Sequence, residues 1–147
     1  MIDRVPAEIA NSGFEWAREQ ADGFIDLVGP FWSRNADDIF IIAFVAEDKH
    51  RNRRGVVQGG MLATLADRGM GQASRNANAN KPQATIQLDV RYLNAARIGG
   101  LIEARCRVDR RTRQLTFVSA EILADGALVA QAQGIWKILG TGRGGGT

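Results

Sequence analysis

Two adjacent glycines, Gly59-Gly60, open a short apolar segment that ends on Asp67. The first amides of a helix have no intrahelical partner and sit at the positive end of its dipole. A glycine there lets a ligand approach the backbone closely. Such a site can hold the oxyanion that develops when a carbonyl is attacked, although a flexible turn into a helix fits the same two residues. Asp67 falls about two turns further on, where aspartate is a poor interior former. On a helical wheel it shares a face with Gly60, Ala63, Thr64, Gly71 and Ser74, all small. That face can meet another backbone or leave room for a substrate, and a half-buried carboxylate on it can be a base or nucleophile. A solvated aspartate paired with Arg68 is the alternative.

Asn52 can donate an amide N–H to a carbonyl oxygen, or simply form a turn. His50, the only histidine, stands between Lys49 and Arg51 and reads as a surface loop residue rather than a base. Cys106 alternates with the buried residues of a strand and reads as core. One histidine and one cysteine, far apart, give no zinc set, so no metal is expected. There is neither a G-x-S-x-G elbow nor a phosphate-binding G-x-x-x-x-G-K-[ST] loop. The glycines of Gly140–Gly145 match G-x-G-x-x-G but have no helix after them.

These residues need elements to position them. Pro6 stands near one helix start, and the S-x-x-E spacing of Ser12 and Glu15 predicts a second helix over Gly13–Ala21. Phe24–Trp32 reads as a strand interrupted by Gly29-Pro30. Ile39–Ala46, β-branched and aromatic throughout, predicts a strand buried on both faces. Glu47–Gln58 is a polar loop, and the central helix runs to about Arg75. After it, Ile86, Leu88, Val90 and Tyr92 alternate with polar residues, as do Ile102, Ala104, Cys106 and Val108. That period of two means strands with one buried face. Strands Gln114–Leu123 and Leu128–Ile138 flank the hairpin pair Asp125-Gly126. A long antiparallel sheet with one long helix on it, an α+β fold, accommodates this order. Residues 1–139 form a single expected domain, and Gly140–Thr147 a flexible glycine-rich tail.

With 147 residues, 45% hydrophobic and 24% charged, the chain has an ordinary globular composition. No stretch is apolar enough to span a bilayer and no export signal is visible, so a cytoplasmic protein without a membrane partner is expected. The net charge of +3 is modest. Its arginines lack the stacking aromatics or recognition helix of a nucleic-acid binder.

The run from Asn52 through Gln58-Gly59-Gly60 to Asp67 resembles the signature of the PaaI-type hot-dog thioesterases. The similarity extends to Thr85–Tyr92 and to Gly126–Gln131, and covers most of the chain beyond about Phe24. The resemblance implies a hot-dog fold, with the sheet wrapped around the helix. It implies an acyl-CoA thioesterase, a hydrolase acting on aryl-acyl or short- to medium-chain thioesters without a cofactor, coenzyme A being part of the substrate. Asp67 is then the base or nucleophile. The Gly59 amide polarises the carbonyl with help from Asn52, Gly60 lies against the substrate, and Thr85 helps orient the attacking water. The site is composite, Asp67 facing the glycine of a second subunit in a homodimer that commonly pairs into a homotetramer. Relatives usually carry histidine where this chain has Gln58, whose amide can donate a hydrogen bond but cannot share protons near neutral pH. That departure leaves a non-catalytic acyl-CoA-binding or sensing protein as the alternative. A hydratase wants a histidine paired with an acid in the site, and His50 lies outside it. The phosphates of coenzyme A require basic residues, for which Arg110, Arg111 and Arg113 are the leading candidates and Arg75 and Arg91 secondary ones. Phe31 and Trp32 are expected to contact the acyl group.

Overall fold

The chain after residue 82 alternates strictly enough to force a sheet, and the computed structural model, which describes residues 5–140, contains one. Its elements are α1 (Ala7–Ala10), β1 (Ala17–Arg18), α2 (Gly23–Val28), β2 (Trp32–Ala36), β3 (Ile39–Val45), α3 (Gly59–Ala77), β4 (Gln83–Tyr92), β5 (Leu101–Arg111), β6 (Leu115–Ala124) and β7 (Ala127–Ile138). The seven strands form one antiparallel sheet in the order β1-β2-β3-β5-β6-β7-β4. Helix α3 lies across one face, a long sheet around a central helix, which is the α+β hot-dog arrangement.

Met61, Leu62, Leu65, Ala66, Gly69, Met70 and Ala73 form the buried stripe of α3, at the three- and four-residue spacing of an amphipathic helix. They meet Ile42, Phe44, Ile102, Ile122 and Trp136 from the sheet. Gly69 sets the closeness of that contact. A Cβ there would lie 2.7 Å from Ile42 Cγ2 and 2.8 Å from Cys106 Sγ, so no side chain fits without displacement. Cys106 is core, as its alternation indicates, and burial pushes its thiol up to about 12. The β6–β7 turn places Asp125 and Gly126 at φ of 49° and 83°, the left-handed pair required by a tight primed hairpin.

The first third departs from the sequence expectations. The helix expected over Gly13–Ala21 is absent. Ser12 closes α1 instead of capping a new helix: its hydroxyl donates to the Ile9 carbonyl and accepts from the Trp16 indole N–H. Gly13 then turns the chain at φ 80°, and Ala17–Arg18 pair with β2. Arg34 lies over the Phe14 ring at 3.8 Å, a stacking that pulls the segment onto the sheet edge. The strand expected over Phe24–Trp32 is two elements. Ile25 and Val28, three apart, are one face of α2 packed on the core, while Phe24 and Leu27 face outward. That spacing is helical, so the segment folds as a helix and not as extended chain. Gly29-Pro30 ends α2, and the strand starts only at Trp32. The glycine-rich tail expected from Gly140 onward falls, from residue 141, outside the described residues. Among the described residues no helix is long and apolar enough to cross a membrane.

Candidate active site

The loop before α3 is built to present a helix start. Arg51 and Val57 pair in a short bridge, Asn52 N–H donates to the Val56 carbonyl at 2.7 Å, and Gly55 turns between them at φ 81°. Asn52 Oδ1 accepts from the Arg54 and Val56 amides, at 2.9 and 3.3 Å. Its oxygen is therefore a turn brace, which leaves the Nδ2 donors as its contribution to any ligand. Gln58 is the N-cap of α3, is exposed, and makes no side-chain capping bond. The Gln58 carbonyl accepts from Met61 and Leu62, while the Gly59 and Gly60 amides, the first two of the helix, have no intrahelical acceptor.

His50 holds this loop from beneath and is not a surface residue. It is 3% exposed. Its Nδ1 accepts from the Glu47 amide at 2.9 Å, so Nε2 carries the proton donated to the Val28 carbonyl at 2.6 Å. Its ring packs edge-on against Phe44, and its own carbonyl accepts from the Gln58 amide. Burial pushes its pKa below the ordinary histidine value, favouring the neutral tautomer these bonds require.

Asp67 lies eight residues beyond Gly59 on the same helix, half-buried at the rim of an open groove of about 210 Å³. Thr85, Gly71, Arg68, Arg75 and Trp136 line the groove with it. Thr85 Oγ1 donates to Asp67 Oδ1 at 2.9 Å. Among the described residues no ion pair joins Asp67 to Arg68, which removes the simplest structural excuse for an aspartate in the helix interior. Gly71 is tight against the floor, since a Cβ there would stand 3.2 Å from Trp136 Nε1.

Thr85 reaches Asp67 because β4 is irregular. Thr85 pairs with Trp136 and Gln87 with Ile135, so Ile86 is an extra residue opposite nothing. Strict alternation would set Thr85 on the face opposite Leu88 and Val90, which pack on the core. The bulge turns Thr85 and Gln83 back onto the helix face, a common use of bulges beside reactive groups. Gln83 then locks the strand down: its Oε1 accepts from Ser74 Oγ and Asn78 Nδ2, and its Nε2 donates to the Gly71 carbonyl. Ser74, grouped with Asp67 by the helical wheel, is thus fully buried rather than open to a ligand.

The remaining expected residues separate. Arg110, Arg111 and Arg113 are exposed at the β5–β6 turn, and Arg111 lies three strands from Thr85 through Thr116 and Trp136, roughly 14 Å at the usual strand spacing. They stand outside the groove, whereas Arg68 and Arg75 line it. Arg91 points to the sheet's opposite face, beside Arg105 and Glu121. Phe31 and Trp32 are sealed in the interior at 1% and 4% exposure, so they do not offer an open wall to an acyl group. Sequence reasoning missed Gln83 and Trp136, neither of which carries a motif of its own, and named Arg68 only as a partner for Asp67.

A family model described as the thioesterase superfamily matches residues 54–130, a span that includes Gln58, Gly59, Gly60, Asp67 and Thr85. A Pseudomonas aeruginosa protein named as an esterase is 34% identical over 116 residues, covering 78% of this chain and 87% of that one. Mouse acyl-coenzyme A thioesterase 13 is 26% identical over 100 residues, 67% of this chain and 71% of the relative. The solved structure of a variant of the phenylacetic acid degradation protein PaaI from Thermus thermophilus shares the fold, with a TM-score of 0.72 and 24% identity, covering 80% of this chain and 100% of that one.

Proposed function

The chain belongs to the thioesterase superfamily and has the hot-dog fold, and from that premise we propose that it is a PaaI-type enzyme that hydrolyses acyl-CoA thioesters to free acid and coenzyme A. The observation that carries the reading is the Thr85–Asp67 hydrogen bond, which a dedicated bulge creates on the rim of a groove. Asp67 takes a proton from water as its oxygen attacks the thioester carbonyl. The Gly59 and Gly60 amides hold the resulting oxyanion, with an Asn52 Nδ2–H as a further donor. When the carbon–sulfur bond breaks, the sulfur leaves with the proton returned by Asp67.

One protomer does not complete this site. Eight residues of helix separate Gly59 from Asp67 by about 12 Å, too far for both to act on one carbonyl. The proposed unit is a homodimer in which Asp67 of one subunit faces the helix start of the other. Strand β4 supplies the junction: it is an edge strand of ten residues whose Ile86 and Tyr92 are 55% and 52% exposed. A second β4 continues the sheet and covers them. Two such dimers form the proposed tetramer. The coenzyme A phosphates meet Arg68 and Arg75 at the groove, with Arg110, Arg111 and Arg113 at the same end of the sheet.

The test is thiol release from a panel of aryl-acyl and short- to medium-chain acyl-CoAs by wild type and Asp67→Asn. Turnover by wild type, lost in the variant, is the expected result; no turnover of any thioester refutes the enzyme. Gln58 favours a second reading, a binder or sensor of acyl-CoA, since its exposed amide makes no cap and cannot relay protons. Tight acyl-CoA binding without turnover, indifferent to Asp67→Asn, is its signature.

A further inference from the structure

We propose that Tyr92 is a positioning residue for the helix-start amides, fixing the Gly59–Gly60 peptide plane and polarising the Gly60 N–H. The inference rests on the thioesterase reading above and adds a residue that reading does not use. Tyr92 Oη donates to the Gly59 carbonyl at 2.7 Å. That carbonyl and the Gly60 N–H belong to one planar peptide unit, so holding the oxygen aims the hydrogen. Hydrogen bonds in a chain polarise one another, so drawing electron density onto the Gly59 oxygen makes the Gly60 N–H a better donor. The preceding plane, Gln58–Gly59, is already held from within α3, because the Gln58 carbonyl accepts from Met61 and Leu62. The Gly59 carbonyl also enters the hydrogen-bond ladder of α3, and Tyr92 adds a second donor to it from outside the helix, at the position where two consecutive glycines make the chain softest.

The ring adds a second restraint. A Cβ on Gly59 would stand 3.3 Å from Tyr92 Cζ and 3.4 Å from Cε1, so the ring lies directly over the glycine Cα. Glycine at 59 and tyrosine at 92 are thus a matched pair. Partial burial raises the Tyr92 phenol further above its ordinary value, so it is a donor throughout the neutral range.

The experiment combines steady-state kinetics on a hydrolysed acyl-CoA with nitrogen-15 NMR of the Gly60 amide, for wild type, Tyr92→Phe and Tyr92→Ala. Tyr92→Phe keeps the ring and removes one neutral hydrogen bond, so kcat falls about 3- to 10-fold with KM nearly unchanged. The Gly60 amide shifts upfield and exchanges faster. Gly59→Ala lowers kcat in wild type, and the same change costs less in the Tyr92→Ala background, a non-additivity expected of residues in contact. A Tyr92→Phe enzyme with unchanged kcat overturns the proposal, as does a thermal loss unaccompanied by any change at Gly60. If wild type hydrolyses no thioester, the catalytic reading fails on its own. The Gly60 signal then decides the positioning: a shift in Tyr92→Phe upholds it and an unmoved signal overturns it.

Discussion

Two inactive variants, mixed, should make an active enzyme. Asp67→Asn removes the proposed base. Gly59→Asp places a carboxylate at the proposed oxyanion position, while its Cβ meets only the Tyr92 ring at 3.3 Å, a contact a surface side chain can relieve. Because the two positions lie about 12 Å apart on one helix, each site in the proposed dimer draws its base from one chain and its amides from the other. A heterodimer of the two variants then has one site with both lesions and one with neither. Random reassociation of equal amounts gives half heterodimers, each with one intact site of two, so about one quarter of wild-type activity returns in a two-fold symmetric dimer. The assay is thiol release before and after the mixture is unfolded and refolded together, with each variant refolded alone as control. Recovery to no more than the sum of the controls means that each chain contains its own complete site, and refutes the composite geometry.

Thr85→Val removes the hydroxyl that donates to Asp67 while preserving shape, and should lower kcat/KM about tenfold, the worth of one hydrogen bond to a charged group near the surface; thiol release measures it, and an undiminished rate separates Thr85 from the chemistry. Gly69→Ala should lower the melting temperature, because overpacking against Ile42 and Cys106 costs about 1–3 kcal/mol and outweighs a helix-propensity gain of about 1 kcal/mol; Gly60→Ala, whose nearest neighbour would be Gln58 Cγ at 3.9 Å, is the stability control that should not fall. His50 is held neutral by burial, so the unfolded chain binds the extra proton and stability drops as pH falls below the ordinary histidine value and through the depressed folded one. Melting curves at neutral and mildly acidic pH should show that slope reduced in His50→Gln. Arg75→Glu should raise KM for coenzyme A thioesters but not for thioesters of a short uncharged thiol, since the partner proposed for this groove-lining arginine is a phosphate.

Strands β5 to β7 were legible because one face of each is buried: Ile102, Ala104 and Cys106 lie in the core, while Arg105 and Arg107 are exposed. The helix start and Asp67 were legible because glycine pairs and interior aspartates violate local preference. The face of Thr85 was not, since the bulge at Ile86 changes its parity without any glycine or proline to announce it. Nor was the role of His50. A lone histidine between two cations reads as solvated, and only the folding back of α2 brings the Val28 carbonyl to its ring. Residues 13–32 failed for a related reason: Ser12 and the Phe24–Val28 run each satisfy two local patterns, and contacts with Arg34 and the sheet choose between them.

Strand β4 touches the candidate site twice, through Thr85 near its start and through Tyr92 at its last residue. In a dimer joined along that strand, the alignment of the two copies is therefore a ruler for the distance between general base and anion cradle. A slip of one hydrogen-bonded pair would leave each chain folded and every reactive group intact, yet carry the two halves of the site out of reach. Selection on catalysis in such a molecule falls on how its copies are aligned as much as on which residues they carry.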